Sequence, residues 1–112
     1  MCIETQEKEQ FLVVTFLEKR LSAALAPKFE LKMRELIQAG HQHILLDLSH
    51  VDFIDSSGLG AIVSSFKLLN NQGDFILCGV HGAVISLLNL TRMDKIFPIY
   101  ASLEEALKDC HQ

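Results

Sequence analysis

Residues 52–60 read Asp52-Phe53-Ile54-Asp55-Ser56-Ser57-Gly58-Leu59-Gly60. The run before them, His43 to Leu48 (HILLDL), is almost wholly apolar. A strand of that kind is covered on both faces, as in the centre of a parallel sheet. The run after them places Leu59, Ile62, Val63, Phe66 and Leu69 on one helical stripe over residues 57–71, and Asn70-Asn71-Gln72-Gly73 ends it. Acids, serines and glycines between two such segments mark a turn from a buried strand into a helix. Function in open α/β sheets gathers at strand ends of this type.

Two uses of the patch are open from local chemistry. Ser56 and Ser57 are suited to cap the helix, since their hydroxyls accept bonds from free backbone N–H groups for about 1 kcal/mol. The glycines then let the chain turn sharply, and the patch is a capped turn. Alternatively, the helix N-terminus is a prepared anion site. A phosphate on Ser56 brings about -1.5 to -2 charges. Exposed N–H groups would hold it, Asp52 and Asp55 would oppose it, and a partner docked on the turn would be repelled.

Outward from the patch, strands alternate with helices. Residues 11–17 (FLVVTFL) are β-branched and aromatic and predict a strand. Cys2 to Glu7 alternates weakly and is expected to pair with it as an edge hairpin across Lys8-Glu9-Gln10. In SAALAPKFELKMRELIQAG, Phe29, Met33, Leu36 and Ile37 recur at helical spacing, Pro27 fits only the first turn, and Gly40 is a natural stop. FILCGV (75–80) predicts a second buried strand, and residues 82–90 a short apolar helix. A turn at Thr91–Asp94 follows, then a short strand KIFPIY that Pro98 pushes towards an edge. Ser102 and Glu105 make a capping-box pattern for a last helix through Lys108. The expected order is β-β-α-β-α-β-α-β-α: a mixed sheet of four to five strands with parallel central pairs and about four helices.

Bulk properties narrow the class. A chain of 112 residues fits one domain, and 49% hydrophobic residues allow a core without metals or disulfides. Net charge is -4 with scattered basic residues, which argues against nucleic-acid and anionic-membrane surfaces. Cys2, Cys78 and Cys110 are odd in number and widely spaced, without a CxxC, which fits a reducing cytoplasm. The polar, acidic start MCIETQEKEQ is no signal peptide, and no apolar run approaches the roughly 20 residues of a membrane span.

The remaining polar residues are weak candidates for chemistry. Asp47, inside an apolar strand, is expected to point to the strand's end and cap a loop. His41 and His43 lack a third metal ligand, so no metal and no cofactor are expected. His50 and His81 are expected as surface residues bordering the patch. Cys78 is expected as an inert core thiol. DSSGLG is not a GxSxG elbow, and no histidine has a claim as base for Ser56, so no enzyme activity is expected. Gly58 and Gly60 are only half of a GxGxxG phosphate loop.

DFIDSSGLG, with ILLDLS before it and AIVSSFKLL after it, resembles the STAS family, whose domains occur in bacterial anti-sigma factor antagonists and in sulfate transporter tails. GDFILCGV is similar to the family's following strand, and LTRMDKIFPIYASLEEAL to its closing segment, so the similarity spans nearly the whole chain as one STAS domain, residues 1–112. In the antagonist branch, the serine after the motif's aspartate is phosphorylated by a partner anti-sigma kinase. Here that serine is Ser56, after Asp55. The resemblance implies partner switching in the regulation of transcription: the unphosphorylated protein binds the anti-sigma factor, phosphorylation releases it, and a serine phosphatase resets it. Ser57, Gly58, Leu59 and Gly60 would shape the docking surface with Asp55 and Ser56. The family's "G-x-L-D-x-x-T-A" type segment departs here. Ser22 stands where aspartate is common and Leu25 where threonine is common, in a loop that helps meet the kinase. That departure motivates an alternative: a constitutive STAS subunit of a lipid-transport ATPase complex, or a sensory scaffold.

Overall fold

The computed structural model describes residues 1–109. Cys110 lies outside the described residues. Strands β1 (Ile3–Lys8) and β2 (Phe11–Phe16) form the expected hairpin, with Glu9 in the left-handed region at its tip (φ 61°). A two-residue strand β3 (Arg20–Leu21) leads through the Ser22–Leu25 turn into helix α1 (Ala26–Gln38). Pro27 sits in the first turn of α1, where its missing N–H leaves no bond broken. Gly40, at φ 108°, turns the chain out of the helix. Strand β4 (His43–Asp47) follows, then a second two-residue strand β5 (Phe53–Ile54) and helix α2 (Ser56–Leu68). Strand β6 (Asp74–Cys78), helix α3 (Gly82–Leu90), strand β7 (Ile99–Tyr100) and helix α4 (Leu103–Asp109) complete the order.

The main sheet runs β1-β2-β4-β6-β7; only the β1–β2 pair is antiparallel. Its apolar strands split cleanly by period two. Leu12, Val14, Phe16, Ile44, Leu46, Phe75 and Leu77 face the core shared with Phe29 and Met33 of α1 and Ala61 and Ile62 of α2. Phe11, Val13, Leu45, Ile76 and Cys78 face the opposite core, closed by Ala106 of α4. Covering both faces is what requires the unbroken apolar runs, and each fully buried large side chain contributes about 1.5–3 kcal/mol. Phe66 packs edge-on against Phe75 and Phe97, joining α2 to β6 and to the segment before β7.

Three local expectations shift. β3 and β5 pair in parallel as a separate small sheet where only loops were expected; two residues are too short to show a period. The expected strand KIFPIY shrinks to Ile99–Tyr100. Met93–Lys95 forms a 3-10 turn after Arg92 in the left-handed region, and Phe97 turns into the core. The helix expected over 57–71 starts one residue earlier and ends at Leu68, before Asn70 and Asn71, both at positive φ. The capping expectation at α4 holds: the Glu105 N–H donates to Ser102 Oγ at 3.1 Å.

Candidate functional site

The site is assembled by the small β3–β5 sheet. Arg20 pairs with Phe53 and Leu21 with Ile54, so Leu21 and Ile54 enter the core while Arg20 and Phe53 face outwards. The Arg20 guanidinium lies 4.6 Å from the centre of the Phe53 ring. At an exposed site such a stack is worth about 0.5–1 kcal/mol. The chain reaches β5 by a defined route. Asp47 Oδ1 accepts from the Ser49 N–H at 3.0 Å, His81 Nε2 lies 3.0 Å from the Ser49 carbonyl oxygen, and the Asp52 N–H donates to the Lys19 carbonyl at 2.8 Å. Asp47 therefore caps a loop, as expected.

The cap of α2 corrects the sequence reading. Neither Ser56 nor Ser57 is the N-cap. Asp55 is, with extended backbone (φ -95°, ψ -177°), and its Oδ1 accepts from the Gly58 N–H at 2.9 Å. Asp and Ser are nearly equal in capping preference, so the helix start decides between them, and it falls on Ser56. The second carboxylate oxygen of Asp55 accepts from the Ala23 N–H at 3.1 Å, in the Ser22–Leu25 turn. One carboxylate thus joins the two halves of the site. The Gly58 N–H bond, followed by those from Ala23 and Ser57 and by the Arg20 charge, holds the Asp55 carboxyl below its ordinary value; partial burial opposes this.

Ser56 and Ser57 are both exposed, at the first two residues of α2. Gly60 is exposed with nothing within 4 Å of a β-carbon built on it. Gly58 shapes the turn from beneath. It is buried, and a β-carbon there would stand 2.1 Å from the Leu21 carbonyl oxygen, so Gly58 lets β3 lie against α2. Leu59 is partly buried on the main core. Ser22 is partly buried, and its carbonyl accepts the Leu25 and Ala26 N–H groups. Glu18, Lys19, Arg20, Ser22, Ala24 and Leu25 line a shallow open concavity beside the turn. Arg20 and Phe53 were not foreseen as site residues; their pairing is tertiary, and no local pattern signals it.

Elsewhere, His43 Nδ1 lies 2.8 Å from the Asp74 carboxylate, at the N-terminal end of the parallel strands. A concavity of about 150 Å³ opens there, between Glu7–Leu12 and Gly40–His43, away from Ser56. Burial, followed by the neighbouring Asp47 charge, pushes the Cys78 thiol up to about 12, as suits an inert core residue. Among the described residues, no cluster of three or more His, Cys, Asp or Glu side chains is placed to hold a metal ion, and no helix is long and apolar enough to cross a membrane.

The STAS domain family model matches residues 3–106, nearly the full set of elements just described. The chain belongs to the STAS domain family. It is 35% identical over 109 residues to the anti-sigma F factor antagonist of Paenibacillus polymyxa, across 96% of this chain and 92% of that protein. It is 30% identical over 99 residues to the anti-sigma-B factor antagonist of Listeria monocytogenes, across 87% of this chain and 86% of that protein. Among solved structures, an anti-sigma-factor antagonist (STAS) domain protein from Planctomyces limnophilus superposes with a TM-score of 0.88 at 28% identity, covering 98% of each chain. The mixed sheet with helices on both faces is therefore the STAS fold.

Proposed function

We propose that this STAS chain acts as a single binding domain, an anti-sigma factor antagonist switched at Ser56. Unphosphorylated, it docks an anti-sigma factor with serine kinase activity through the turn formed by Asp55, Ser56, Ser57 and Gly60, flanked by the Ser22–Leu25 loop. A phosphoryl group on Ser56 releases it, and a serine phosphatase restores it. It does so in the cytoplasm and as a binding module rather than an enzyme. The observation that carries this reading is the placement of the Ser56 hydroxyl. It is exposed on the first residue of α2, directly after an aspartate whose carboxylate is committed to the backbone.

The turn is built so that added charge changes the surface and not the fold. Asp55 already fixes the start of α2, so Ser56 has no structural duty to lose. A phosphate adds about -1.5 to -2 charges beside Asp52 and Asp55, which is enough to repel an acidic or apolar partner surface. The Ser22 and Leu25 departures do not detach their loop, since the Ala23 N–H still reaches Asp55. That favours the switching module over a constitutive transporter subunit.

Titration against the anti-sigma factor tests the reading. Ser56→Ala is expected to bind as the parent does, and Ser56→Asp at least about tenfold more weakly, the effect of roughly 1.4 kcal/mol. Equal affinities for the two variants would overturn it.

A further inference from the structure

We propose that Arg20 is the counter-charge of the phosphoryl group on Ser56, and that it leaves the face of Phe53 to make that pair. The inference rests on the phosphorylation reading above and names how the modified turn is regulated.

A phosphate at Ser56 needs partners, and two backbone donors of the turn are already used. The Gly58 N–H at the start of α2 donates to Asp55 Oδ1, and the Ala23 N–H across the turn donates to Asp55 Oδ2. Asp55 is itself an anion and repels the newcomer. The Gly58 N–H can turn to the phosphate only by uncapping α2, and the Ala23 N–H only by freeing its loop. A side-chain cation meets the charge without either loss.

The charged groups on the elements around the turn are few. Asp52 and Asp55 lie on the β5 side, and Glu18, Lys19 and Arg20 on the β3 side, where Glu18 Oε2 accepts the Cys2 N–H at 2.9 Å. His50 lies in the turn before β5, and His81 at the start of α3 is directed to the Ser49 carbonyl. Among the described residues, the ion pairs are Arg34–Glu30 and His43–Asp74, and Arg20 is in neither, its charge acting on Asp55 only from beyond salt-bridge distance. Its partner is the Phe53 ring, an exposed stack that competes weakly against a dianion.

Arg20 is favoured over Lys19 on two grounds. It sits in the β3–β5 ladder opposite Phe53, on the outward side of the strand that runs into Asp55 and Ser56, and its charge is felt at Asp55. Its planar fork also matches phosphate oxygens two at a time, which an ammonium does not. The consequence is a local exchange. In the unmodified protein Arg20 covers one face of Phe53, which is 39% exposed even so. In the phosphorylated protein the guanidinium moves to Ser56 and that face is bared. Phosphorylation then alters the docking surface in shape as well as in charge, with no change in the fold.

The experiment uses the full chain with phosphoserine installed at position 56 during translation, so that no kinase is needed. The second ionisation of the phosphate is followed by phosphorus NMR. In the parent chain its midpoint is expected at least about 0.5 unit below that of Arg20→Gln, the direction a nearby cation imposes. Lys19→Gln is expected to move it less. In parallel, the Arg20 side-chain protons of the unmodified protein are expected to show an upfield ring-current shift that Phe53→Leu abolishes. Phosphorylation is expected to abolish it too. Equal midpoints in the parent and Arg20→Gln would overturn the pairing, and so would an Arg20 ring-current shift that survives phosphorylation. These outcomes are independent of the switching reading, which stands or falls on whether cells phosphorylate Ser56 and whether the partner responds.

Discussion

Helix α2 begins on a side-chain cap, Asp55, whose carboxylate holds the Gly58 N–H. Helix α1 begins at Leu25 with no side-chain cap, and the turn before it is closed by the Ser22 carbonyl, which accepts from Leu25 and Ala26. The two starts meet at Asp55, because its second oxygen takes the Ala23 N–H from the α1 side. The site therefore has a dependent half. The Ser56 turn supplies the shared carboxylate and leans on β3 only through backbone bonds such as Asp55 N–H to the Leu21 carbonyl at 3.3 Å, whereas the Ser22–Leu25 loop borrows its side-chain anchor from the turn. Disturbance should therefore spread from Asp55 to the loop, and much less in the other direction.

The largest expected effect comes from forcing the two halves apart. Gly58→Ala drives a β-carbon to 2.1 Å from the Leu21 carbonyl oxygen, a backbone atom that cannot swing away. A destabilisation of about 3 kcal/mol is expected, at the upper end for overpacking, and urea unfolding measures it. A near-neutral result would mean that β3 and α2 separate easily, and the idea of a rigid turn would fail with it.

Next comes removal of the shared anchor. Asp55→Ala should raise amide hydrogen exchange at Gly58 and at Ala23 together, by several-fold, while amides of β4 stay protected. Asp55→Asn keeps a single acceptor oxygen, so it should restore one of these two amides and not both. Unchanged exchange at Ala23 in Asp55→Ala would show that the loop stands alone.

How much of this was legible depended on the range of the interaction. The apolar runs of β2, β4 and β6 are written in consecutive residues, so the sheet and its covered faces could be read from them. The serine at position 56 was legible as well, because Asp55-Ser56-Ser57-Gly58 lies between a strand and a helix. Which residue caps α2 was not legible. Asp and Ser cap about equally well, and a shift of one residue in the helix start exchanges their roles. Nor could Gly58 be told from Gly60 by inspection. One is pressed against Leu21, far off in sequence, and the other faces open space. The Arg20–Phe53 stack depends on a two-residue ladder that carries no periodic signal.

That contrast between the glycines gives a smaller prediction of opposite sign. Gly60→Ala sits inside α2 with nothing within 4 Å of the new β-carbon, so it should stabilise the protein by about 0.5–1 kcal/mol through helix propensity. If Gly60→Ala nonetheless weakens the anti-sigma factor's binding, the exposed Gly60 surface belongs to the docking face. If binding is unchanged, the face ends at Ser57.

The smallest effect is the pH dependence of the anchor itself, and its sign follows from the bonds. Asp55 accepts N–H groups from Gly58 and Ala23 only as a strong acceptor when ionised, and those bonds hold its carboxyl below the ordinary 3.8. A carboxyl depressed in the folded state contributes stability that is fully present above its unfolded value. The contribution is lost as pH falls through the folded value, because below it both states bind the proton. The parent protein should therefore lose stability on acidification below 3.8 more steeply than Asp55→Asn, which has no proton to take up there. Urea midpoints measured for both chains from neutral pH down through that window give the comparison, and the two curves should converge at the acid end. Parallel curves would mean that Asp55 is as well bonded protonated as ionised. The dependent half of the site would then owe its order to the Ser22 carbonyl turn rather than to the charge beside Ser56.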